Sequence, residues 1–96
     1  MRVAPEEVFA DMKEWHDTTM PDETADAVLV HLEEEARELL MEPSFEEAAD
    51  VLLCLFAWTS RRGFALPALM YAAASKLEIN KRRKWVKMPN GTYHHK

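Results

Sequence analysis

The sequence predicts an all-α fold of four helices joined by short turns. Glycine and proline are scarce, two and five in 96 residues, too few to turn a sandwich or barrel of many short strands. Apolar residues recur with a helical period in successive segments, and the breaks between them are short runs of turn formers. The length suits one domain over residues 1–96, with 86–96 as a C-terminal tail.

The first helix is expected from about Pro5 to Trp15. Proline suits a first helical position, and Glu6 and Glu7 face the positive end of the dipole. Val8, Met12 and Trp15 share a face, and Asp17 to Asp22 reads as a loop around Pro21. The second helix, about Glu23 to Met41, carries Ala25, Val28, Leu29, Leu32, Ala36, Leu39 and Leu40 as one apolar stripe. Glu42-Pro43-Ser44 breaks it. Ser44 then caps a third helix, Phe45 to Arg62, with Glu47 at the N3 position of a capping box. That helix is apolar nearly all round, which suggests burial on several sides, one of them against another subunit. Gly63 ends it. The fourth helix runs from about Pro67 to Lys84. Pro89-Asn90-Gly91 is a turn, and Thr92 to Lys96 is a tail.

Composition narrows the function classes. With 48% hydrophobic and 30% charged residues the chain is neither disordered nor membranous. Its most apolar run, Val51 to Thr59, is far short of the ~20 residues of a membrane span. The N-terminus lacks the basic and apolar regions of a signal peptide, and the single cysteine, Cys54, fits a reducing cytoplasm. A domain of this size buries only ~60–65% of its unfolded surface, so self-association is the expected remedy. The first fifty residues hold 16 of the 17 acids and 3 of the 12 bases, a net charge of −13, and the remainder carries +8. That division suggests either a tail that binds polyanions or a site joining a cation-binding half to a phosphate-binding half. The overall −5 argues against general affinity for nucleic acid.

The chemistry is expected in two short acidic patterns. Glu35 and Glu38 lie at i, i+3 on the second helix, and Glu47 and Asp50 do so on the third. Each spacing puts two carboxylates on one helix face, and the tight Pro43 turn makes the helices antiparallel neighbours. Either pair alone is an ordinary solvated face. Together they flank the most apolar segment, and Arg37 is the only base between Lys13 and Arg61. Four converging carboxylates repel one another without a cation. Oxygen ligands alone select Mg²⁺ or Mn²⁺, whose coordination is usually completed by substrate phosphates. His31 lies one turn before Glu35, either as a partner to that carboxylate or as an exposed helical residue. Lys76, Asn80 and Arg83 form a stripe on the fourth helix suited to phosphate and sugar. Lys81, Arg82 and Lys84 read as a solvated helix end. Trp15 and Trp85, beside polar loops, offer faces for stacking a base.

HLEEEAREL, EEAADVLLCLFAW and KLEINKRRKW resemble the MazG-like all-α nucleoside triphosphate pyrophosphohydrolases, with ExxE on one helix and ExxD on the next. The likeness is closer to the short dATP/dGTP diphosphohydrolases of bacteria and phages, including the MazZ-type enzymes of phages whose genomes carry 2-aminoadenine. It covers about Trp15 to His95, although only eight residues separate Glu38 from Glu47, fewer than in many relatives. The resemblance implies an oligomeric MazG-like four-helix bundle, a dimer or a dimer of dimers such as a homotetramer. It implies cleavage of the α–β bond of purine deoxynucleoside triphosphates, for nucleotide-pool control in the cytoplasm, the host's if phage-encoded. It assigns Glu35, Glu38, Glu47 and Asp50 to two or three Mg²⁺ or Mn²⁺ ions, with Glu38 or Glu35 in the catalytic role. Lys76, Asn80, Arg83, Trp15, Trp85 and His31 would contact the substrate. No membrane or nucleic-acid partner is implied. The alternatives are a pyrophosphohydrolase of another nucleotide class, a non-catalytic helical module whose acidic half docks a basic partner, or a nucleic-acid binder acting through residues 81–87.

Overall fold

A computed structural model describes residues 1–96 as four helices followed by a two-stranded hairpin. The helices are α1 (Pro5–Thr19), α2 (Ala25–Met41), α3 (Phe45–Arg61) and α4 (Leu66–Arg82), and the strands are β1 (Trp85–Lys87) and β2 (Tyr93–His95). Packing divides the chain into two compact units, Met1–Leu66 and Pro67–Lys96. The all-α expectation holds. No helix is long and apolar enough to cross a membrane.

In the first unit α3 packs on both α1 and α2. The buried side chains are Phe9, Met12, Val28, Cys54, Phe56, Ala57 and Leu66, with His16 and Thr59 among them. Phe9 meets Phe56 edge to face, ring centres 5.3 Å apart, a favoured aromatic arrangement. The inward face of α1 is therefore Phe9, Met12 and His16, rather than Val8, Met12 and Trp15. Trp15 is exposed. The stripe on α2 is only partly covered: Val28 is buried, Leu32 and Leu39 are half-buried, and Leu29 and Leu40 are exposed.

Three boundaries differ from the sequence expectation for identifiable reasons. α1 continues to Thr19, through the expected loop. Asp17 is paired with Lys13 at 2.6 Å and Thr18 Oγ1 donates to the Glu14 carbonyl at 2.8 Å, so these turn formers are satisfied within the helix. α2 begins at Ala25 because Thr24 caps it, accepting from Ala27 N at 3.1 Å, which leaves Glu23 outside. The third difference lies in the second unit. The expected tail is a hairpin, with Trp85 opposite His95, Val86 opposite His94 and Lys87 opposite Tyr93. The turn is closed by Met88 N donating to the Thr92 carbonyl at 2.7 Å, with Gly91 at φ +91°. Ser44 caps α3 as expected, accepting from Glu47 N at 3.1 Å. The capping box is half-formed, because the Glu47 carboxylate does not reach back to Ser44. Gly63, at φ +84°, ends α3 in the left-handed conformation expected of it.

Arg61 joins α3 to the exit of α1. Its guanidinium donates to Asp17 Oδ1 at 2.9 Å, to the Met20 carbonyl at 2.6 Å and to the His16 carbonyl at 3.4 Å. Each carbonyl also accepts a backbone N–H, that of His16 from Met20 and that of Met20 from Glu23, so the guanidinium adds a second bond to each. Arg61→Met should lower the unfolding free energy by about 2 kcal/mol, since several charge-assisted hydrogen bonds are lost together. Urea unfolding checks this, and a change under about 0.5 kcal/mol would mean that water replaces the guanidinium without loss.

Candidate metal centre

α2 and α3 are antiparallel neighbours across the Glu42-Pro43-Ser44 turn, so the acids of one face those of the other. Glu35, Glu47 and Asp50 each bring a carboxylate oxygen within 4.8 Å of the other two. Mg²⁺–oxygen distances of about 2.0–2.1 Å place two ligand oxygens at most about 4.2 Å apart, so a small inward rotation would close the set on one ion. Glu35 Oε1 meets His31 Nε2 at 3.1 Å. Glu35 Oε2 and Glu47 Oε2 are buried with no hydrogen-bond partner. The nearest cation in sequence, Arg37, pairs instead with Glu33 at 3.3 Å, and both are exposed. Burial raises the Glu35 carboxyl above its ordinary value, and the neighbouring Glu38 adds to this. Glu47 is raised in the same way, by burial and then by the charges of Glu38, Asp50 and Glu35. Unpartnered oxygens, all-oxygen donors and uncompensated negative charge fit a hard divalent cation.

Glu38 stands beside Glu35 and Glu47, close enough to raise both carboxyls, but outside the three-way approach of Glu35, Glu47 and Asp50. It is exposed and lines an open depression with Arg37, Met41, Glu42 and Glu47. His31 is the carboxylate partner that its spacing allowed.

A cavity of about 110 Å³ adjoins the acids. Glu35 and Asp50 line it together with Trp15, His16, Glu23 and Leu53, among others. Of the aromatics expected to meet a substrate, Trp15 therefore borders the space that the acids also border. Cys54 lines the cavity as well. Burial pushes its thiol up to about 11, and the charges of Glu35, Glu23 and Asp50 act in the same direction. From an ordinary value of 9.0 that is about a hundredfold less thiolate at neutral pH. Iodoacetamide should therefore label native Cys54 at least about a hundredfold more slowly than the urea-unfolded chain; equal rates would place the thiol in water.

The remaining expected contacts lie in the second unit. Asn80 Oδ1 accepts from Arg83 Nη1 at 3.4 Å, and the same nitrogen lies 3.5 Å from His95 Nδ1. Trp85 Nε1 donates to the Asn80 carbonyl at 2.8 Å, and its ring meets His95 edge to face. Asn80, Arg83 and Trp85 are thus gathered with His95, while Lys76 is exposed one turn earlier on α4.

Sequence reasoning missed the pair His16 and Glu23, whose Nε2 and Oε1 lie 2.6 Å apart. The signal was there: His16 follows Phe9 by seven residues and Met12 by four, on the apolar face of α1.

Residues 8–96 match a family described as dATP/dGTP pyrophosphohydrolase. A dATP/dGTP diphosphohydrolase of Salmonella phage PMBT28 is 32% identical over 83 residues, covering 84% of this chain and 28% of that protein. The chain thus spans little more than a quarter of that relative's length. Among solved structures, the Cyanophage S-2L MazG-like pyrophosphohydrolase, bound to dGDP and three catalytic Mn²⁺ ions per active site, matches with a TM-score of 0.83 and 27% identity. The match covers 99% of each chain.

Proposed function

The chain belongs to the dATP/dGTP pyrophosphohydrolase family, and from that premise we propose that it hydrolyses the α–β anhydride of purine deoxynucleoside triphosphates to a monophosphate and pyrophosphate. The observation that carries this reading is the approach of Glu35, Glu47 and Asp50 to within 4.8 Å with no cation of the chain beside them. Those three residues would hold Mg²⁺ or Mn²⁺, with Glu38 at their edge. Bound there, the ions would supply positive charge against the phosphate chain and acidify water.

The protein's own groups do the rest. Glu38, next to the cluster but outside it, would take a proton from the attacking water. His31 holds Glu35 in orientation through its 3.1 Å contact, in the manner of an outer partner to a ligand. Trp15 offers an indole wall to the base. Lys76, Asn80 and Arg83 contact phosphate and sugar, and Trp85 supplies a second aromatic face. The fourth helix ends at Arg82, so Lys76 and Asn80 lie one turn apart on α4 while Arg83 directly follows it rather than completing a helical stripe; the bond of Arg83 to Asn80 supports this assignment. Lys76 and Arg83 stabilise charge as it grows on the leaving group.

The reading includes a second copy of the chain. Leu40, Met41, Phe45, Leu52 and Leu55 of the first unit are exposed, and a dimer or a dimer of dimers would cover such a surface. It also includes a nucleotide-pool role in the cytoplasm, in a phage setting one that feeds 2-aminoadenine synthesis.

The test is a panel of the eight common ribo- and deoxynucleoside triphosphates with Mg²⁺ or Mn²⁺, products separated chromatographically. Monophosphate and pyrophosphate in equal amounts, greatest for dGTP or dATP and absent with chelator, are expected. No monophosphate from any nucleotide would overturn the reading.

A further inference from the structure

A buried histidine and a carboxylate stand in the wall of the cavity beside the metal centre, hydrogen-bonded to each other and to none of the three clustered acids. His16 is 3% exposed. Its Nε2 lies 2.6 Å from Glu23 Oε1, and its Nδ1 is buried without a partner. A carboxylate only accepts, so Nε2–H donates to Glu23 and the ring is held in one orientation. The second oxygen of Glu23 makes no hydrogen bond within the protein, and Glu23 itself is half-buried. Arg61 braces the backbone that carries the pair, bonding the carbonyl of His16 itself and that of Met20, which lies between His16 and Glu23. The pair satisfies itself only in part, since His16 Nδ1 and the second Glu23 oxygen have no partner in the protein, and such unspent polar groups in a cavity wall mark a place for a ligand.

The other walls define what that ligand is. Met12, Trp15, Met20 and Leu53 are apolar or aromatic, Glu35 and Asp50 belong to the same cavity, and the space is partly open to solvent. Glu23 precedes the first turn of α2 and Glu35 lies about three turns along it. A cavity of about 110 Å³ is smaller than the ~150 Å³ that admits benzene. It takes the leading edge of a flat heterocycle, with sugar and phosphates left toward the acids. A free carboxylate oxygen requires N–H donors on that edge.

We infer that Glu23, held by His16, reads the base of the nucleotide and favours guanine over adenine. This rests on the function proposed above and deepens it. Guanine presents two neighbouring donors on its pairing edge, the N1–H and the 2-amino group, and both suit a carboxylate. Adenine presents one amino group beside a bare ring nitrogen, whose lone pair would face the carboxylate oxygen. A site built to pair with particular donors rejects the analogue that lacks them far better than an apolar pocket does.

Two variants and two readouts test this. Glu23→Gln keeps the shape but offers a donor beside an acceptor, the pattern that suits adenine. Glu23→Asp keeps the acceptor and shortens its reach. Tryptophan fluorescence should follow dGMP and dAMP binding to the metal-free protein, and kcat/KM should be measured for dGTP and dATP with Mn²⁺. The dGMP-to-dAMP affinity ratio should fall about tenfold or more in E23Q, and the kcat/KM ratio with it. E23D should bind dGMP more weakly while keeping the preference. Equal ratios in E23Q and the unsubstituted protein, with both folded by circular dichroism, would overturn the inference. So would the lack of any dGMP preference in the unsubstituted protein. A protein that binds dGMP in preference but hydrolyses nothing would defeat the proposed function and leave the base-reading assignment standing. One that hydrolyses both triphosphates with a ratio indifferent to E23Q would do the reverse.

Discussion

Asp50→Asn and Glu47→Gln should each lower kcat/KM for dGTP with Mn²⁺ on the order of a hundredfold or more, while the metal-free proteins melt no lower than the unsubstituted chain. Changes to partners that merely orient metal ligands already cost about 10–100-fold, and these residues are in the cluster itself. The second half of the expectation distinguishes a ligand from a structural residue. Glu35, Glu47 and Asp50 repel one another without a cation, so a neutral amide relieves the folded state. Glu38→Gln should cost more than about tenfold, as the loss of a general base does, and should keep most of the Mn²⁺ affinity. Steady-state rates and Mn²⁺ titrations measure both. Unsubstituted turnover in the Asp50 and Glu38 variants would disprove the site.

The second large effect joins pH, metal and stability. The folded chain holds protons on Glu35 and Glu47 at pH values where the unfolded chain has released them, because both carboxyls are raised from 4.5. Unfolding then releases protons, and the contribution of these groups to stability falls as pH rises from about that value through their folded pKa. Above the folded pKa the whole penalty is present. Divalent ions bind the ionised form, so their stabilisation grows over the same range. Free Mn²⁺ at a hundred times its dissociation constant would add about 2.7 kcal/mol. Asp17, lowered chiefly by its bond to Lys13, acts in the opposite sense and loses its contribution in acid. The measurement is therefore a difference, the melting temperature of the unsubstituted chain minus that of Glu47→Gln. With chelator this difference should become more negative from pH 4.5 to 7.5, and with Mn²⁺ it should become positive. A pH-independent difference in chelator would show that Glu47 is solvated.

Most of the helical fold was legible because it is written locally. Ser44 and Gly63 mark the two ends of α3 with side-chain and backbone chemistry that needs no tertiary partner. α1 overran its expected end because Lys13 and Glu14 satisfy Asp17 and Thr18 within the helix, and Arg61, 44 residues away, adds a partner that no local rule supplies. The hairpin was legible in part. Asn90-Gly91 between Trp85-Val86 and Tyr93 carries a hairpin signal, but three-residue strands are short enough to pass for a tail. At the site, helical spacing placed Glu35 near His31 and paired Glu47 with Asp50. It could not separate Glu38 from the other three acids, since that depends on how two helices face each other. His16 and Glu23 escaped notice because their contact crosses a loop, and loops carry no period.

The guanidinium of Arg61 has a mechanical consequence. It braces the exit of α1 to the last turn of α3, and α3 is the rod that bears Glu47 and Asp50 near its opposite end. Those two acids and the α1 exit therefore shift together. α2, which bears Glu35, packs along α3 and is joined to it by the short Glu42-Pro43-Ser44 elbow. The spacing of these two rods sets the gap between Glu35 and its two opposites. A cation seated in the gap would act as a clasp between them.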